Sequence, residues 1–397
     1  MENGYLYVGS WLDEKETSGG GIRLFKQNAA DGTLELIGRY REDIAAGYIC
    51  ISTDKKYLYA VDESKRKPGC VLTDGSVYAF QINQKNGTLT EINHISSCGV
   101  FPNYLATASN NRMLFGINYG SEDIVVRSKC NEKGEYMVEN IFEESSMFSV
   151  KIQPDGSLGK LCDMKIFSGE PARFFEWFQA SPHPHCIGID PSDRMLLVAD
   201  RGCDEIVTCN YKEKDGRLHN FNRYKTGHGM GPRNCVFHPY LPYVYVAGEV
   251  QPYIYCYKYD AQTAKLELKN EYLTVQEELV YNGKNTFFDC AHPSDIRIHP
   301  NGKILYIANR GPDTVSCFNI LEKEGKLEYR KQIDVEGMGP WSFAIDSKGQ
   351  YMYIGNKNSN TISVFQIDKN GIPFFHEKVL DVERTVCLKF MEFNESL

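Results

Sequence analysis

A repeated unit restricts what this chain can fold into more than any other feature. Its clearest copy is Gly231–Val250, GPRNCVFHPYLPYVYVAGEV, in which two short apolar runs, Asn234–Phe237 and Tyr243–Ala247, are parted by a proline-rich turn. Runs of this length broken by turn residues read as an antiparallel hairpin. A hairpin returns the chain to the side it left. Arg233, before the first run, and Glu249, after the second, are therefore expected on the same sheet edge.

The pattern recurs at Gly47–Glu63, Pro102–Tyr119, Pro184–Arg201, Pro293–Arg310 and Pro340–Lys357. Most copies are followed by a third run, such as Ser76–Ile82, Ile206–Tyr211, Ile254–Tyr259, Val315–Ile320 or Thr361–Ile367. A charged turn of the form K-x-G or D-G comes next, then a fourth run such as Leu266–Leu268 or Leu327–Tyr329. Four strands repeating at about 45 to 60 residues are the mark of propeller blades. One four-stranded blade cannot bury both of its faces alone, but blades packed radially can. The ends complete the count. Tyr5–Ser10 reads as a second strand lacking a first, and Thr385–Phe393 as a first strand with nothing after it. One blade shared between the termini, added to six internal units, closes a ring and removes free sheet edges. The expected fold is all-β: a seven-bladed β-propeller of four-stranded antiparallel blades, forming one domain over residues 1–397.

Composition agrees with a β core: 42% of residues are apolar, with 25 Tyr and 21 Phe. The net charge is −8 and the pI about 5.7. With no Lys/Arg block to neutralise phosphates, nucleic acid is not an expected partner. The 13 Cys include no CxxC pair, and Cys50, Cys209, Cys235, Cys256, Cys317 and Cys387 fall inside expected strands. They read as small core residues in a reducing compartment. MENGYLYVGS enters a strand directly, with no basic region and no long apolar run. A cytoplasmic protein with no membrane partner, monomeric or homodimeric, is expected.

Several segments depart from the period. Leu12–Gly21 reads as a mobile loop and KRKPG, within Lys65–Gly75, as a solvated turn. In Ser121–Gln179, Ile124–Val126 and Met147–Ile152 are both expected as third-strand material, with Ser128–Glu144 as an insertion. Phe167–Gln179, containing GEPARFFEWFQ, reads either as a lid or as a surface loop packing its aromatics on a blade. Leu273–Ala291 is a second long connection onto the same face, and two long loops on one face mark a pocket.

First strands run down beside the channel and second strands return. Residues opening the former and closing the latter therefore share a face. The openings supply His183, His185, Arg233, His292 and Ser294. The closings supply Glu63, Asn118, Tyr119, Asp200, Arg201, Glu249, Asn309, Arg310, Asn356 and Lys357. Arg233 and Arg310 offer planar forks suited to a carboxylate or phosphate. Glu249 reads either as a base or water holder, or as a structural ion pair with Arg233. His185 can carry a proton near neutrality. His183 and His185 share a strand face, but spacing fixes no third ligand, so neither metal nor cofactor is expected. Asn309 and Asn356 serve either a ligand or strand-end backbone groups. His238 and His299 belong to turns opposite the mouth. No Ser sits in a nucleophile elbow. Attack by water on an ester, or an internal addition–elimination, needs only a base, an acid and oxyanion donors.

The strings HPHCIGIDPSDRMLLVADRG, GPRNCVFHPYLPYVYVAGE, IRIHPNGKILYIANRG and FAIDSKGQYMYIGNKNSNTISVFQID are similar to those of the seven-bladed propeller lactonases. That family includes propeller-type 6-phosphogluconolactonases and fungal 3-carboxy-cis,cis-muconate lactonising enzymes. The resemblance spans nearly the whole chain. It implies metal-free hydrolysis of an anionic small-molecule sugar-acid lactone, first of all 6-phosphogluconolactone, a step of the pentose phosphate pathway. The alternatives are a muconate-type cycloisomerase and a propeller that binds a small molecule or a protein without catalysis. The resemblance implies His185, Arg233, Glu249 and Arg310 as the acid/base and anion-binding groups. Around them, His183, Glu63, Asn118, Tyr119, His292, Asn309, Asn356 and Lys357 are expected to bind substrate. Asp62 stands where the family often has Asn, and Trp341 gives G-P-W in place of G-P-R.

Overall fold

In the computed structural model, every residue is described except 1–3, 13–15, 66–73, 176–177, 282–288, 322, 380 and 394–397; of 378–379 only the backbone is described. Most of the KRKPG turn, part of the 12–21 loop, the centre of the aromatic segment and the middle of the 273–291 connection thus lie outside the described residues. Seven four-stranded antiparallel sheets form, each ordered inner, second, third and outer strand. Blades I to VI follow one another along the chain, with inner strands Ile49–Ile51, Pro102–Thr107, Pro184–Ile189, Pro232–Phe237, His292–Ile298 and Pro340–Ile345. Blade VII takes its inner strand, Thr385–Glu392, from the C-terminal end. Its second, third and outer strands are Gly4–Ser10, Gly21–Gln27 and Leu34–Tyr40. Leu6 pairs with Phe390 and Val8 with Leu388 across this seam. The ring closes by backbone hydrogen bonds, as the truncated end units require.

Burial explains the strand sequences. Second strands such as Met195–Asp200 and Tyr351–Asn356 are buried at every position, because each lies between two neighbouring blades. They read as continuous apolar runs. Outer strands such as Leu218–Lys225 are largely exposed. Apolar contact is concentrated between blades. Seven hydrophobic clusters form, and each joins two adjacent blades. Between V and VI, for example, Tyr306 and Val315 meet Phe343, Met352 and Phe365.

A polar contact repeats beside these clusters. A second-strand Tyr hydroxyl donates to the carbonyl of the turn glycine between the third and outer strands of the next blade. The pairs are Tyr7 to Gly87 (2.7 Å), Tyr59 to Gly156 (3.1 Å), Tyr245 to Gly325 (2.8 Å), Tyr306 to Gly371 (2.8 Å) and Tyr353 to Gly32 (3.0 Å). The K-x-G and D-G turns thus do more than reverse the chain. At the two remaining interfaces, third-strand hydroxyls take over: Ser149 donates to Gly216 (2.7 Å) and Thr208 to Ala264 (2.5 Å).

The structure corrects the reading of the irregular segment. Ile124–Val126 is not third-strand material. It opens a separate two-stranded hairpin, Ile124–Cys130 with Tyr136–Phe142, exposed along most of its length. The third strand of blade II is Ser146–Ile152, which contains the expected Met147–Ile152 run, and the outer strand is Leu158–Ile166. The inserted unit therefore starts before Ser128. An Ile-Val-Val run looks the same to a periodicity argument whether it is buried or exposed.

Removing one hydroxyl rivet leaves a buried carbonyl without its donor. Tyr306→Phe is expected to lower unfolding free energy by about 1–2 kcal/mol. Gly371→Ala should cost more, because a Cβ there would lie 1.9 Å from Ile304 Cδ1 at a φ of +77°. Denaturant titration of both variants checks the order; an unchanged Tyr306→Phe midpoint would remove the rivet's energetic role.

Candidate active site

The mouth of the channel is built by a defect repeated in the inner strands. In blade III, Pro184 pairs with Asp200 and Cys186 with Ala199, so His185 is an extra, unpaired residue. The same β-bulge leaves Asn103, Arg233 and Trp341 unpaired in blades II, IV and VI. It sets Ser294 and Asp295 outside the regular register in blade V and leaves Val386 unpaired in blade VII. In blades II to VI a proline precedes the bulge. Proline has no N–H to give the ladder and tolerates such breaks. A bulge re-aims a side chain, and every one of these residues lines a single cavity of ≈ 260 Å³ at the mouth. Blade I carries Gly47 at the corresponding place. A Cβ there would fall 1.8 Å from Glu63 Oε2 and 2.9 Å from Trp11 Nε1, so the missing side chain makes the slot that these two occupy.

The second ring of residues lies at the exits of the second strands: Trp11, Glu63, Tyr119, Arg201, Glu249 and Lys357 one position beyond the strand and Arg310 as its last residue, one from each blade. All but Lys357 line the cavity. Lys357 sits behind it, its Nζ 4.2 Å from the Trp11 ring and 4.3 Å from the Trp341 ring. Residues one position earlier point the other way, because strand side chains alternate. Asn118 donates to Ser97 O and Ser146 Oγ, both at 3.0 Å. Asn309 donates to Ser316 Oγ at 3.2 Å and Asn356 to Ser363 Oγ at 2.8 Å. Asp200 accepts from His183 N at 2.8 Å and Gly202 N at 3.0 Å. These residues hold strand ends together and do not reach the cavity, contrary to expectation for the three asparagines.

Two histidines also fall outside it. His183 is buried behind Tyr119, stacked on that ring at 4.6 Å, with its ring nitrogens near Ser181 Oγ and Tyr119 O, each at 3.2 Å. His292 Nδ1 meets Glu249 O at 3.0 Å. His238 and His299 lie at the opposite end, their Nε2 atoms on the turn carbonyls of Gly302 and Gly349. Among the described residues no group of three or more His, Cys, Asp or Glu is arranged to hold a metal ion.

The expected quartet does meet. Glu249 is 5% exposed and lies among three guanidiniums. Arg310 donates to its Oε1, Arg201 Nη1 lies 3.1 Å from Oε2, and Arg233 Nε lies 3.2 Å from Oε1. Burial alone would raise the Glu249 pKa, but Arg310, Arg233 and Arg201 outweigh it and hold the carboxyl well below its usual range. Arg201 also pairs with Glu122 at 3.0 Å. Arg233 and Arg310 therefore share one carboxylate, and this pole carries an uncompensated positive charge. Beside it, burial and then the Arg233 charge push the His185 pKa well below 6.5, leaving a neutral imidazole. Across the cavity, Trp11 Nε1 donates to Glu63 Oε2 at 2.6 Å. Burial raises the Glu63 carboxyl to about 7, against the opposing effects of Trp11, Arg233 and Lys357.

The floor is a stacked pair, Tyr48 and Tyr104, with centroids 3.7 Å apart. The rim takes Phe178 from the aromatic segment, lying 4.4 Å from the Arg201 guanidinium. Phe174 and Phe175 instead meet Tyr281 of the other long connection, at 6.0 and 6.2 Å, so the two loops join on the mouth face as expected. Glu176 and Trp177 lie outside the described residues. Sequence reasoning missed Trp11, Asn103 and Glu122, and placed Trp341 only as an oddity. The signal for Asn103 and Trp341 was present: each follows the proline that opens an inner strand.

Glu249→Gln would leave three guanidiniums facing one another without their shared counter-charge. Breaking such a buried cluster is expected to cost about 3–5 kcal/mol. Thermal unfolding should show the loss, and added sulfate should restore part of it by supplying an anion. Equal loss with and without sulfate would mean that the charge cluster is not what the carboxylate stabilises.

Comparison with known proteins places this geometry. Over 350 residues the chain is 27% identical to a protein of Formosa agariphila named 6-phosphogluconolactonase, covering 86% of each. It is 25% identical over 299 residues to the 6-phosphogluconolactonase of Bacillus subtilis, covering 75% of this chain and 73% of that one. The crystal structure of a provisionally named 6-phosphogluconolactonase from Bacteroides fragilis superposes with a TM-score of 0.80, at 25% identity and 98% coverage of both chains. The family described as lactonase, 7-bladed beta-propeller, matches residues 5–390, and the chain belongs to that family.

Proposed function

We propose that this protein hydrolyses the lactone of an anionic sugar acid, with 6-phosphogluconolactone as the first candidate substrate. One observation carries the reading: a cationic pole, where Arg233 and Arg310 share Glu249, faces a carboxyl titrating near neutrality, Glu63, inside one cavity. A cavity of ≈ 260 Å³ suits one small ring compound. The names carried by the Formosa and Bacillus relatives point to the same substrate class.

The proposed division of labour follows from the charges. Arg233 and Arg310 hold the substrate anion and the oxyanion that develops when the ester carbonyl is attacked. Glu249 keeps the guanidiniums aligned. A carboxylate held by three cations is a weak proton acceptor, so the base role considered for Glu249 passes to Glu63, whose proton affinity suits neutral pH. Glu63, fixed by Trp11, takes a proton from water as the oxygen attacks. Glu63 then returns that proton to the departing ring oxygen, toward which His185, kept neutral, directs an N–H hydrogen bond. Ring opening then yields the free acid, whose second negative charge weakens its fit beside Glu63.

The test is acid release from 6-phosphogluconolactone above the spontaneous rate. With Glu63 as base, its ionised form is the active one, so the rate should rise with pH through about 7 and level off. Glu63→Gln should remove that limb and lower kcat by roughly 10²–10⁴-fold. Product formed in ¹⁸O water should carry solvent oxygen, which a cycloisomerase would not introduce. Wild-type turnover no faster than the spontaneous reaction would end this reading. Full activity in Glu63→Gln would end only the assignment of the base.

A further inference from the structure

The Tyr48–Tyr104 stack divides the channel, and a second cavity of ≈ 430 Å³ lies on its other side, opening on the face opposite the mouth. Tyr104 and Asp295 contribute to the walls of both cavities. Two cations line the second one. Arg297 comes from the inner strand of blade V, two residues beyond Asp295 and on the same strand face. Lys389 comes from the C-terminal inner strand of blade VII.

The charges there do not balance. Arg297 Nη2 lies 3.0 Å from Asp295 Oδ2, and its Nε donates to Phe343 O at 2.5 Å. Lys389 has no carboxylate within salt-bridge distance among the described residues. Its Nζ donates to the Tyr48 hydroxyl at 2.8 Å and lies 4.3 Å from that ring's centroid. Asp295 has little capacity left. Its Oδ1 accepts from Asn234 Nδ2 and Ile296 N, both at 3.0 Å, and its Oδ2 accepts from Ser342 Oγ at 2.8 Å as well as from Arg297. The other titratable groups close by, Cys50, Cys387, Tyr48 and Tyr104, are all neutral, since burial pushes each of their pKa values up. His299, also in the wall, has its Nδ1 and Nε2 on Asn301 N and Gly349 O. Two cations thus face one saturated carboxylate. Burial, and next the Arg297 charge, lower the Lys389 pKa, and the Asp295 charge opposes them without cancelling them.

We propose that this second cavity is a binding site for a small tetrahedral oxyanion of the phosphate class, held between the Arg297 guanidinium and the Lys389 ammonium. The guanidinium supplies a planar donor fork and the ammonium a point charge, a pairing that suits an oxyanion with several acceptor oxygens. The site is separate from the lactone cavity and does not rest on the lactonase reading. Its wall includes Asp295 and Tyr104, so an occupant would bear on the floor of the mouth.

Phosphate titration by calorimetry tests the proposal, with inorganic phosphate as the probe. The mouth cations can also bind phosphate, so Arg310→Gln serves to weaken that site. In this background a phosphate site is expected to remain. Adding Lys389→Met, which keeps the packing and removes the charge, should weaken it at least tenfold. Arg297→Lys, which keeps the charge and removes the fork, should weaken it less. Circular dichroism and a cooperative thermal transition confirm that each variant is folded. Loss of all phosphate binding in Arg310→Gln alone, or unchanged binding on adding Lys389→Met, overturns the second site.

Discussion

A register break near the start of six of the seven inner strands governs the functional end of this molecule. A regular strand would alternate its side chains between the two faces of its blade, and those faces are already filled by neighbouring blades. The bulge adds one residue that the ladder does not claim. At Asn103, His185, Arg233, Trp341 and Val386 that residue faces the channel. In blades II to VI the preceding proline makes the defect inexpensive where it occurs, at the strand opening. The blade below the bulge remains regular, so the scaffold and the site draw on different positions of the same repeat.

The second ring depends on the first. Glu249, Arg201 and Arg310 leave their second strands beside the bulged Arg233 of blade IV and His185 of blade III. Gathering three guanidiniums in a largely buried place is unfavourable without an anion, and Glu249 supplies it at the cost of its own proton affinity. The opposite wall has the reverse arrangement: one carboxyl, Glu63, with an indole donor and no ion pair among the described residues. Gly47 is what admits it, by leaving blade I without a bulged side chain. The same residue type therefore carries two protonation behaviours across one cavity, set by whether burial prevails, as at Glu63, or three cations outweigh it, as at Glu249.

Much of this was legible in the sequence because it is periodic. The strand–turn–strand repeats fixed the blade count, and the incomplete units at Tyr5–Ser10 and Thr385–Phe393 gave the seam. His185, Arg233, Glu249 and Arg310 were legible as neighbours because hairpins return to one edge. The strand-end pairs N-Y, N-R and N-K do not act as units, so Asn118, Asn309 and Asn356 do not sit where a shared sheet edge alone would put them. Alternation sends the first member to the blade interior, while the second reaches the cavity as Tyr119 and Arg310 and sits behind it as Lys357. Trp11 follows Tyr5–Ser10, a second strand by the same reading, so its place at the mouth is legible by the rule that finds Glu63 and Tyr119. The Ile124–Phe142 hairpin was illegible. It belongs to no repeat, and its apolar run does not reveal that it stands in solvent.

Sevenfold architecture gives each blade the same two positions to offer, yet the occupants are sorted around the ring. Blades III, IV and V give His185, Arg201, Arg233, Glu249 and Arg310. Blades VI, VII and I give Trp341, Trp11 and Glu63. A symmetric rim would present the same field to a ligand in seven orientations. The sorted rim presents a cationic arc facing an aromatic and carboxylic one, and a ligand with one anionic end has one low-energy way to lie across it. The chain sets the order of the blades, and that polarity further requires each to sit in a fixed orientation against the next. The Tyr–Gly hydroxyl contacts and the hydrogen-bonded seam of blade VII hold them so. The chemistry at the mouth is thus tied to interactions at the outer turns, on the far side of the blades from the cavity.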